Sequence, residues 1–344
     1  MSTIKEVAQR AKVSTATVSH VVNDSAHVSP ELRKRVLNAI QRLDYKPNLV
    51  ARSLKMRRTS MLGMVVTDIT DPFFAQMIRG AEDAARKHGY LLTIFNTDDE
   101  FEREVEVFSL LRSRRVDGIL LVLAPTKRRS RPHLKSTIAA KIPVVCLARI
   151  PRGLQVDSVS IRNRENARTC VRHLIDTGHR RIGFIAGPAG VMAAEHRYQG
   201  YFDAMKERKV PVLPELIREG DFRSASGYER GKELLKGPNR PTALFVANGM
   251  MTVGLLRAMD ELGLSCPDDV VLATFGDRGV AEYLYPRVTV VEQPSYEVGR
   301  QGAELAIQRI RGELPANKRT HIELDAELRV KESSLPQGPR VAAG

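Results

Sequence analysis

The sequence predicts an α/β protein in which a short helical head precedes a larger body of two parallel-sheet lobes. Three observations carry that expectation. Residues 1–60 hold twelve Lys or Arg against four Asp or Glu, so one sixth of the chain carries +8 of the +14 net charge. From residue 61 onward, apolar runs of strand length alternate with helical stretches, the pattern of parallel strands covered by helices on both faces. The 344 residues, 42% apolar and 27% charged, suffice for two or three domains and argue against long disorder.

A cation excess on this scale implies an acidic partner, and its concentration at one end favours nucleic acid over a membrane surface. No apolar run approaches the roughly 18 residues of a membrane helix. The start of the chain lacks an apolar signal segment, so the expected location is the cytoplasm, at the nucleoid, with no membrane partner. Cys146, Cys170 and Cys266 are scattered, without the spacing of a zinc cluster or a disulfide framework. Neither a metal nor a cofactor is expected.

The elements follow in order. Thr3 and Glu6 stand at capping-box spacing and open a helix through about Ala11. Ser14 caps a second helix to about Val22. Ser29, Pro30 and Glu31 start a third, to about Leu43, whose apolar set Leu32, Val36, Leu37, Ile40 and Leu43 keeps a 3.6-residue period. Tyr45-Lys46-Pro47 breaks the chain, and Asn48 caps a short fourth helix, Leu49 to Met56. Strands are expected over Met61–Thr67, Leu91–Asn96, Gly118–Leu123, Pro143–Leu147, Ile182–Ala186, Ala243–Ala247 and Val270–Phe275. Helices are expected over Phe74–His88, Arg103–Arg114, Arg164–Thr177, Arg197–Arg208, Gly227–Leu235, Met250–Leu262 and Tyr296–Gly312. The resulting division is a head at 1–46, a hinge and linker at 47–60, a body at 61–332 and a loose tail at 333–344. The body splits into two lobes near residue 161, and the chain crosses back near 290 and 322.

Two helices on a three- or four-residue turn, the second rich in small polar residues, form a helix-turn-helix pattern. Ala8, Ala11, Val13, Val18 and Val22 pack the helices together, leaving Thr15, Ala16, Thr17, Ser19 and His20 outward. Short donors and acceptors with methyl groups suit major-groove readout: His20 for guanine, Thr15 and Ala16 for a thymine methyl. A solvated face on a small bundle is the plain alternative. The string from Ile4 to Asn23, down to Val18-Ser19-His20-Val21, resembles the DNA-binding head of the lactose-repressor family, and within it the purine-repressor branch. The likeness continues through Val28-Ser29, Tyr45-Lys46-Pro47-Asn48 and Ala51-Arg52-Ser53-Leu54-Lys55. It implies that Ser14, Asn23 and Tyr45 complete the DNA contacts, and Arg52, Lys55, Arg57 and Arg58 would meet phosphates. Leu54 stands where the family's hinge helix wedges a leucine into the minor groove.

The resemblance extends over the body to about residue 332, on Asp71-Pro72-Phe73-Phe74, Arg115-Val116-Asp117-Gly118-Ile119, Gly178-His179-Arg180-Arg181-Ile182 and Glu292-Gln293-Pro294. It implies a two-lobed body similar to the periplasmic sugar-binding proteins, with a small-molecule effector in the interlobe cleft at the carboxyl ends of the strands. Carried across residue by residue, the effector would meet Phe73, Phe74, Arg197, Phe222, Asn248 and Gln293, and Arg149 and Asp277, each one residue past a position where the chain departs from the family, join the expected set. Each taken singly also reads as core packing or a surface ion pair. The chain departs from the family at Leu147-Ala148-Arg149 and Thr274-Phe275-Gly276-Asp277, where Ala148 and Gly276 stand in place of carboxylates. Fewer carboxylates, with Arg149 and Arg197 kept, favour an acidic effector such as a sugar acid or phosphorylated metabolite over a neutral sugar. A pocket that has lost strong effector binding is the alternative.

An α/β enzyme acting on a small metabolite is the competing reading. Its nearest phosphate-loop candidate, Gly187-Pro188-Ala189-Gly190, lacks the spacing and the Lys-Ser/Thr pair of such loops. Neither Gly-x-Ser-x-Gly nor His-Glu-x-x-His occurs. The expectation is therefore a non-enzymatic, ligand-responsive transcription regulator: a repressor that binds double-stranded, near-palindromic operator DNA as a homodimer and answers to a carbohydrate or acidic metabolite. The tail has no leucine heptad, which favours dimers.

Overall fold

The computed structural model describes residues 2–23, 27–45, 59–126, 128, 130–151, 153–276 and 285–335. The chain divides into a head, Met1–Thr59, and a body, Ser60–Gly344. The fourth helix expected over 49–56 lies outside the described residues.

In the head, α1 (Ile4–Ala11), α2 (Thr15–Asn23) and α3 (Pro30–Arg42) surround one small core. Glu6 N donates to Thr3 Oγ1 at 3.3 Å and Thr3 N to a Glu6 oxygen at 3.1 Å, closing the capping box. Lys12 ends α1 in the left-handed region, φ 51°, and Ser14 Oγ accepts Thr17 N at 3.1 Å to start α2. Val7, Ala8, Ala11, Val18, Val21, Val36 and Ala39 fill the centre. Val21 is buried and Val22 only partly so. Leu37, expected inside, is 50% exposed, because it lies about a quarter turn round α3 from the stripe centred on Val36.

The first lobe of the body comprises β1 (Met61–Val66), α4 (Pro72–Lys87), β2 (Leu91–Asn96), α5 (Phe101–Ser113), β3 (Gly118–Leu121), α6 (Pro132–Ala139), β4 (Val144–Leu147) and β5 (Asp157–Ile161). The second comprises α7 (Asn163–Asp176), β6 (Ile182–Ala186), α8 (Met192–Glu207), β7 (Ile217–Glu219), α9 (Ser224–Leu235), β8 (Ala243–Val246), α10 (Gly249–Glu261), β9 (Val271–Gly276) and β10 (Thr289–Glu292). The chain returns to the first lobe through α11 (Ser295–Arg311) and β11 (His321–Leu324), then ends in the second with β12 (Glu327–Arg329). It thus passes between the lobes after β5, after β10 and after β11.

The sheets run β11-β5-β4-β3-β1-β2 and β12-β10-β9-β8-β6-β7. All their pairings are parallel except β10 with β12. Both lobes wind the same way, so the order reverses between β1 and β3 and between β6 and β8, and crevices open there at the carboxyl ends. Every residue of β3, β4 and β8 is buried, as sheets covered on both faces require.

The sequence reading missed β5, β7, β10, β11, β12 and α6, and began α8 and α9 late. α8 starts at Met192 rather than Arg197, and α9 at Ser224 rather than Gly227. The missed strands are three to five residues long, and β11 and β12 alternate exposed and half-buried positions with polar or charged residues on the exposed ones.

The loose tail expected from Ser333 does not hold for Ser333 and Ser334, which are buried. Ser333 is fully buried; its Oγ accepts Thr289 N and donates to Leu272 O, each at 2.7 Å. Ser334 Oγ lies 2.7 Å from His173 Nε2 and 2.5 Å from Thr289 Oγ1. Burial holds the His173 imidazole below its ordinary value of 6.5, with Asp176 opposing. A folded-state value below the unfolded one means that unfolding takes up protons, so stability is full above pH 6.5 and falls as the pH drops below it. His173→Gln is expected to flatten that acid-side fall in thermal melts taken across the range. An unchanged slope would remove His173 from the account.

Candidate functional site

On α2 the residues outside the core form one face. Ser14, Thr15, Ala16 and His20 are exposed, and Thr17 and Ser19 half-buried. Beneath them Arg35 of α3 donates through Nη2 to Ala11 O at 2.5 Å and to Lys12 O at 3.3 Å. A guanidinium therefore holds the turn that sets α2 against α1. The Ser14 hydroxyl is engaged in the α2 cap, 3.1 Å from Thr17 N and 2.9 Å from Thr17 Oγ1. Tyr45 is half-buried against the head core. The Asn23 side chain, Arg52, Leu54, Lys55, Arg57 and Arg58 lie outside the described residues.

The second candidate is a solvent-open cleft between the body lobes with about 820 Å³ of empty space. Of the residues expected to meet an effector, Phe73, Phe74, Arg149, Arg197, Phe222, Asn248 and Gln293 line it; Asp277 lies outside the described residues. Apart from Phe73 and Phe74 at the start of α4 and Arg197 on α8, each sits just past the carboxyl end of a strand, where the topology opens the crevices.

Asp71 caps α4 by accepting Phe73 N at 2.9 Å, and Pro72 follows at the first helical position. The two phenylalanine rings meet edge to face at 5.2 Å. Phe74 enters the core of the first lobe, while Phe73 is half-buried. Opposite, Phe222 sits in the left-handed region, φ 71°, its ring against Gly187, where a Cβ would fall 2.3 Å from ring carbons. Asn248 is engaged at both ends of its amide: Nδ2 donates to Phe222 O at 2.7 Å and Oδ1 accepts Met251 N at 2.9 Å. It positions Phe222 and caps α10.

The two arginines differ. Arg149 Nη1 pairs with Asp99 at 2.7 Å and donates to Leu123 O at 2.9 Å, so its charge is balanced. Arg197 donates from Nε to Asn163 Oδ1 at 2.8 Å, from Nη1 to Ala247 O at 2.6 Å and from Nη2 to Gln293 Oε1 at 2.8 Å. Its guanidinium lies 4.1 Å from the centre of the Phe275 ring. Asn163 and Gln293 belong to two of the interlobe crossings, so Arg197 ties both to the second lobe. Burial, reinforced by Arg149 and opposed by Asp71, pushes Arg197 down to about 9, which leaves it a cation at neutral pH.

The sequence reading missed Asp68, Asp99, Asn163, Asp221 and Arg223, all lining the cleft. The available signal was position, since each follows a strand within a few residues. Asp68 accepts Thr70 N and Oγ1, and Asp221 accepts Arg223 N and Ser226 Oγ. Arg223 Nη2 reaches Asp98 O of the other lobe at 3.4 Å. In the one phosphate-loop candidate, Ala189 N donates to the Glu219 carboxylate at 2.9 Å, which places an anion where a phosphate would need a donor. Among the described residues no group of His, Cys, Asp or Glu is placed to hold a metal ion, and no helix is long and apolar enough to cross a membrane.

Residues 3–48 match the family described as bacterial regulatory proteins, lacI family, and residues 171–334 match the periplasmic binding protein-like domain. The chain is 35% identical to the HTH-type transcriptional repressor PurR of Mannheimia succiniciproducens, over 97% of this chain and 98% of that one. It is 34% identical to the protein of that name from Pasteurella multocida, with the same coverage. Among solved structures it is similar to a transcriptional regulator CelR–cellobiose complex, at TM-score 0.73 and 32% identity over 97% of this chain and 100% of that one. It is also similar to the lac repressor dimer bound to operator and the anti-inducer ONPF, at TM-score 0.85 and 25% identity over 97% and 99%.

Proposed function

The chain belongs to the lacI family of bacterial regulatory proteins, and from that premise we propose that it is a transcriptional repressor acting as a homodimer on a near-palindromic operator. A small molecule in the interlobe cleft sets its affinity for that DNA. The observation that carries the reading is the exposed, short-chained face of α2 seated on a turn that Arg35 holds. Thr15, Ala16 and His20 read base edges. Ser14, Thr17, Ser19, Asn23 and Tyr45 set the register, Arg52 and Lys55 meet phosphates, and Leu54 is the minor-groove wedge.

In the cleft, Phe73 and Phe222 cover the faces of the effector, and Arg197 with Gln293 supplies its polar grip. Arg197 bonds Asn163 and Gln293 on two interlobe crossings, so an effector that fits one lobe arrangement better than another shifts their balance, and with it the dimer's fit to DNA. The repressors and effector complexes among the similar proteins support this reading, as does the Glu219 carboxylate in the loop an enzyme would use for phosphate.

Selection of genomic fragments by the purified protein, with and without pooled metabolites, tests it. The expected product is an enriched palindrome whose capture changes with the metabolites. Affinity for it should fall about 10³- to 10⁵-fold between 50 and 200 mM salt if the dimer contacts about 6–10 phosphates. Fragments captured without sequence preference in both conditions would overturn the proposal.

A further inference from the structure

Resting on the reading of the chain as an operator-binding dimer, we propose that the body holds a second DNA surface: the amino-end rim of its first sheet, which takes the phosphates of duplex flanking the operator. The six strands of that sheet run parallel, so the turns that enter them lie in one row. At about 4.8 Å from strand to strand, the row spans roughly 24 Å. Lys87 ends α4 ahead of β2, Arg114 follows α5 ahead of β3, Lys141 lies between α6 and β4, and Lys318 between α11 and β11. All four are exposed, and among the described residues no carboxylate pairs with any of them.

The carboxylates at this end are engaged elsewhere. Asp117 accepts Ser60 N at 2.9 Å, buried Asp157 pairs with Arg309 at 2.8 Å, and Glu313 faces Arg311 at 3.8 Å. The rim therefore keeps a cation excess, whereas the carboxyl end of the same sheet carries Asp68, Asp71, Asp98 and Asp99. Helix dipoles favour cations at helix carboxyl ends, which accounts for Lys87 and Arg114 but not for Lys318, in the loop beyond α11. The amino end of the second sheet gives the comparison. There Arg208 pairs with Asp176 at 2.9 Å and Arg240 with Asp269 at 3.1 Å, so cations stand among acids.

The chain that leads to the head leaves the body at the first sheet's rim, where Ser60 O accepts Leu91 N at 2.9 Å. Residues 46–59 span at most about 50 Å even when fully extended. A head bound to DNA thus holds the rim within that distance of the same duplex, which presents one phosphate charge per about 1.7 Å of its axis. Phosphate contacts carry no base readout, so the rim adds affinity whatever the flanking sequence.

Anisotropy titration of the full-length protein at about 0.1 M salt compares the selected operator as a minimal duplex with the same operator extended by about 15 base pairs of arbitrary sequence on each side. The longer duplex is expected to bind about 10- to 100-fold tighter, with a salt slope steeper by roughly 2, as one further phosphate per protomer requires. The quadruple variant Lys87→Gln, Arg114→Gln, Lys141→Gln, Lys318→Gln should bind the minimal duplex as the parent does and lose that gain. Lys209→Gln with Lys236→Gln, which removes exposed cations from the amino end of the second sheet, should keep it. Thermal melts report that each variant is folded. Equal affinity of the parent for both duplexes, a gain that survives in the quadruple variant, or a gain lost equally from the second-sheet variant would each overturn the proposal. A parent that does not prefer the minimal operator to a scrambled duplex defeats the repressor reading and this inference with it. Specific binding of the minimal operator without a gain from the flanks defeats this inference alone.

Discussion

Gly299→Ala is expected to cost the body about 3 kcal/mol or more, lowering its melting temperature by roughly 6–12 °C, and Gly299→Val to prevent soluble folding. A Cβ at Gly299 would stand 1.8 Å from Met77 O and 2.7 Å from Met77 C. The contact is reciprocal, since a Cβ at Gly80 would stand 2.0 Å from Tyr296 O. α4 and α11 therefore cross backbone to backbone, each glycine under a carbonyl of the other helix, and a carbonyl cannot turn aside as a side-chain end can. α11 also presses on β4, where Gly302 meets Leu147, two residues before Arg149. Displacing α11 therefore disturbs the floor of the cleft as well as the core. Differential scanning calorimetry of Gly299→Ala checks this; a melting temperature within about 2 °C of the parent would refute the close-crossing account.

The same physics explains what the sequence disclosed. β3, β4 and β8 are buried on both faces, so they must be apolar throughout, and an unbroken apolar run is visible without a structure. β5 is equally buried yet reads Asp-Ser-Val-Ser-Ile. Its polar atoms are satisfied from the far end of the chain: Asp157 by Arg309 at 2.8 Å and Thr320 N at 2.8 Å, Ser158 by His321 at 2.8 Å. Partners more than 150 residues away leave no local pattern. The cleft divides likewise. Which residues line it follows from strand ends and from family likeness. Whether a lining residue is available does not, because Arg149 is neutralised from fifty positions upstream and Asn248 is engaged by the backbone of Phe222. The tail misled for the same reason, since Ser333 is held by Thr289 and Leu272.

Ala16→Glu is expected to abolish operator recognition while leaving the body's ligand binding intact. Ala16 is exposed in the first turn of α2, on the opposite side from Val18 and Val21, which anchor the helix in the core. Glutamate there leaves that packing untouched, so the head keeps its melting curve. In the groove the new carboxylate meets phosphates of its own sign and the acceptor edges of purines, and it replaces a methyl that a thymine would contact. A dimer carries the defect in both half-sites. At about 1–3 kcal/mol for each spoiled contact, the pair amounts to roughly 30-fold to 10⁴-fold in affinity. His20→Ala, which removes a donor without adding a charge, should instead relax preference at one position per half-site by about 1–3 kcal/mol. Anisotropy titrations of both variants against the selected operator and a scrambled duplex distinguish the mechanisms. A loss confined to the operator assigns Ala16 to base readout, and an equal loss on both duplexes would place it over the phosphate track. An Ala16→Glu protein that still holds the operator within about threefold of the parent would take α2 out of the groove altogether.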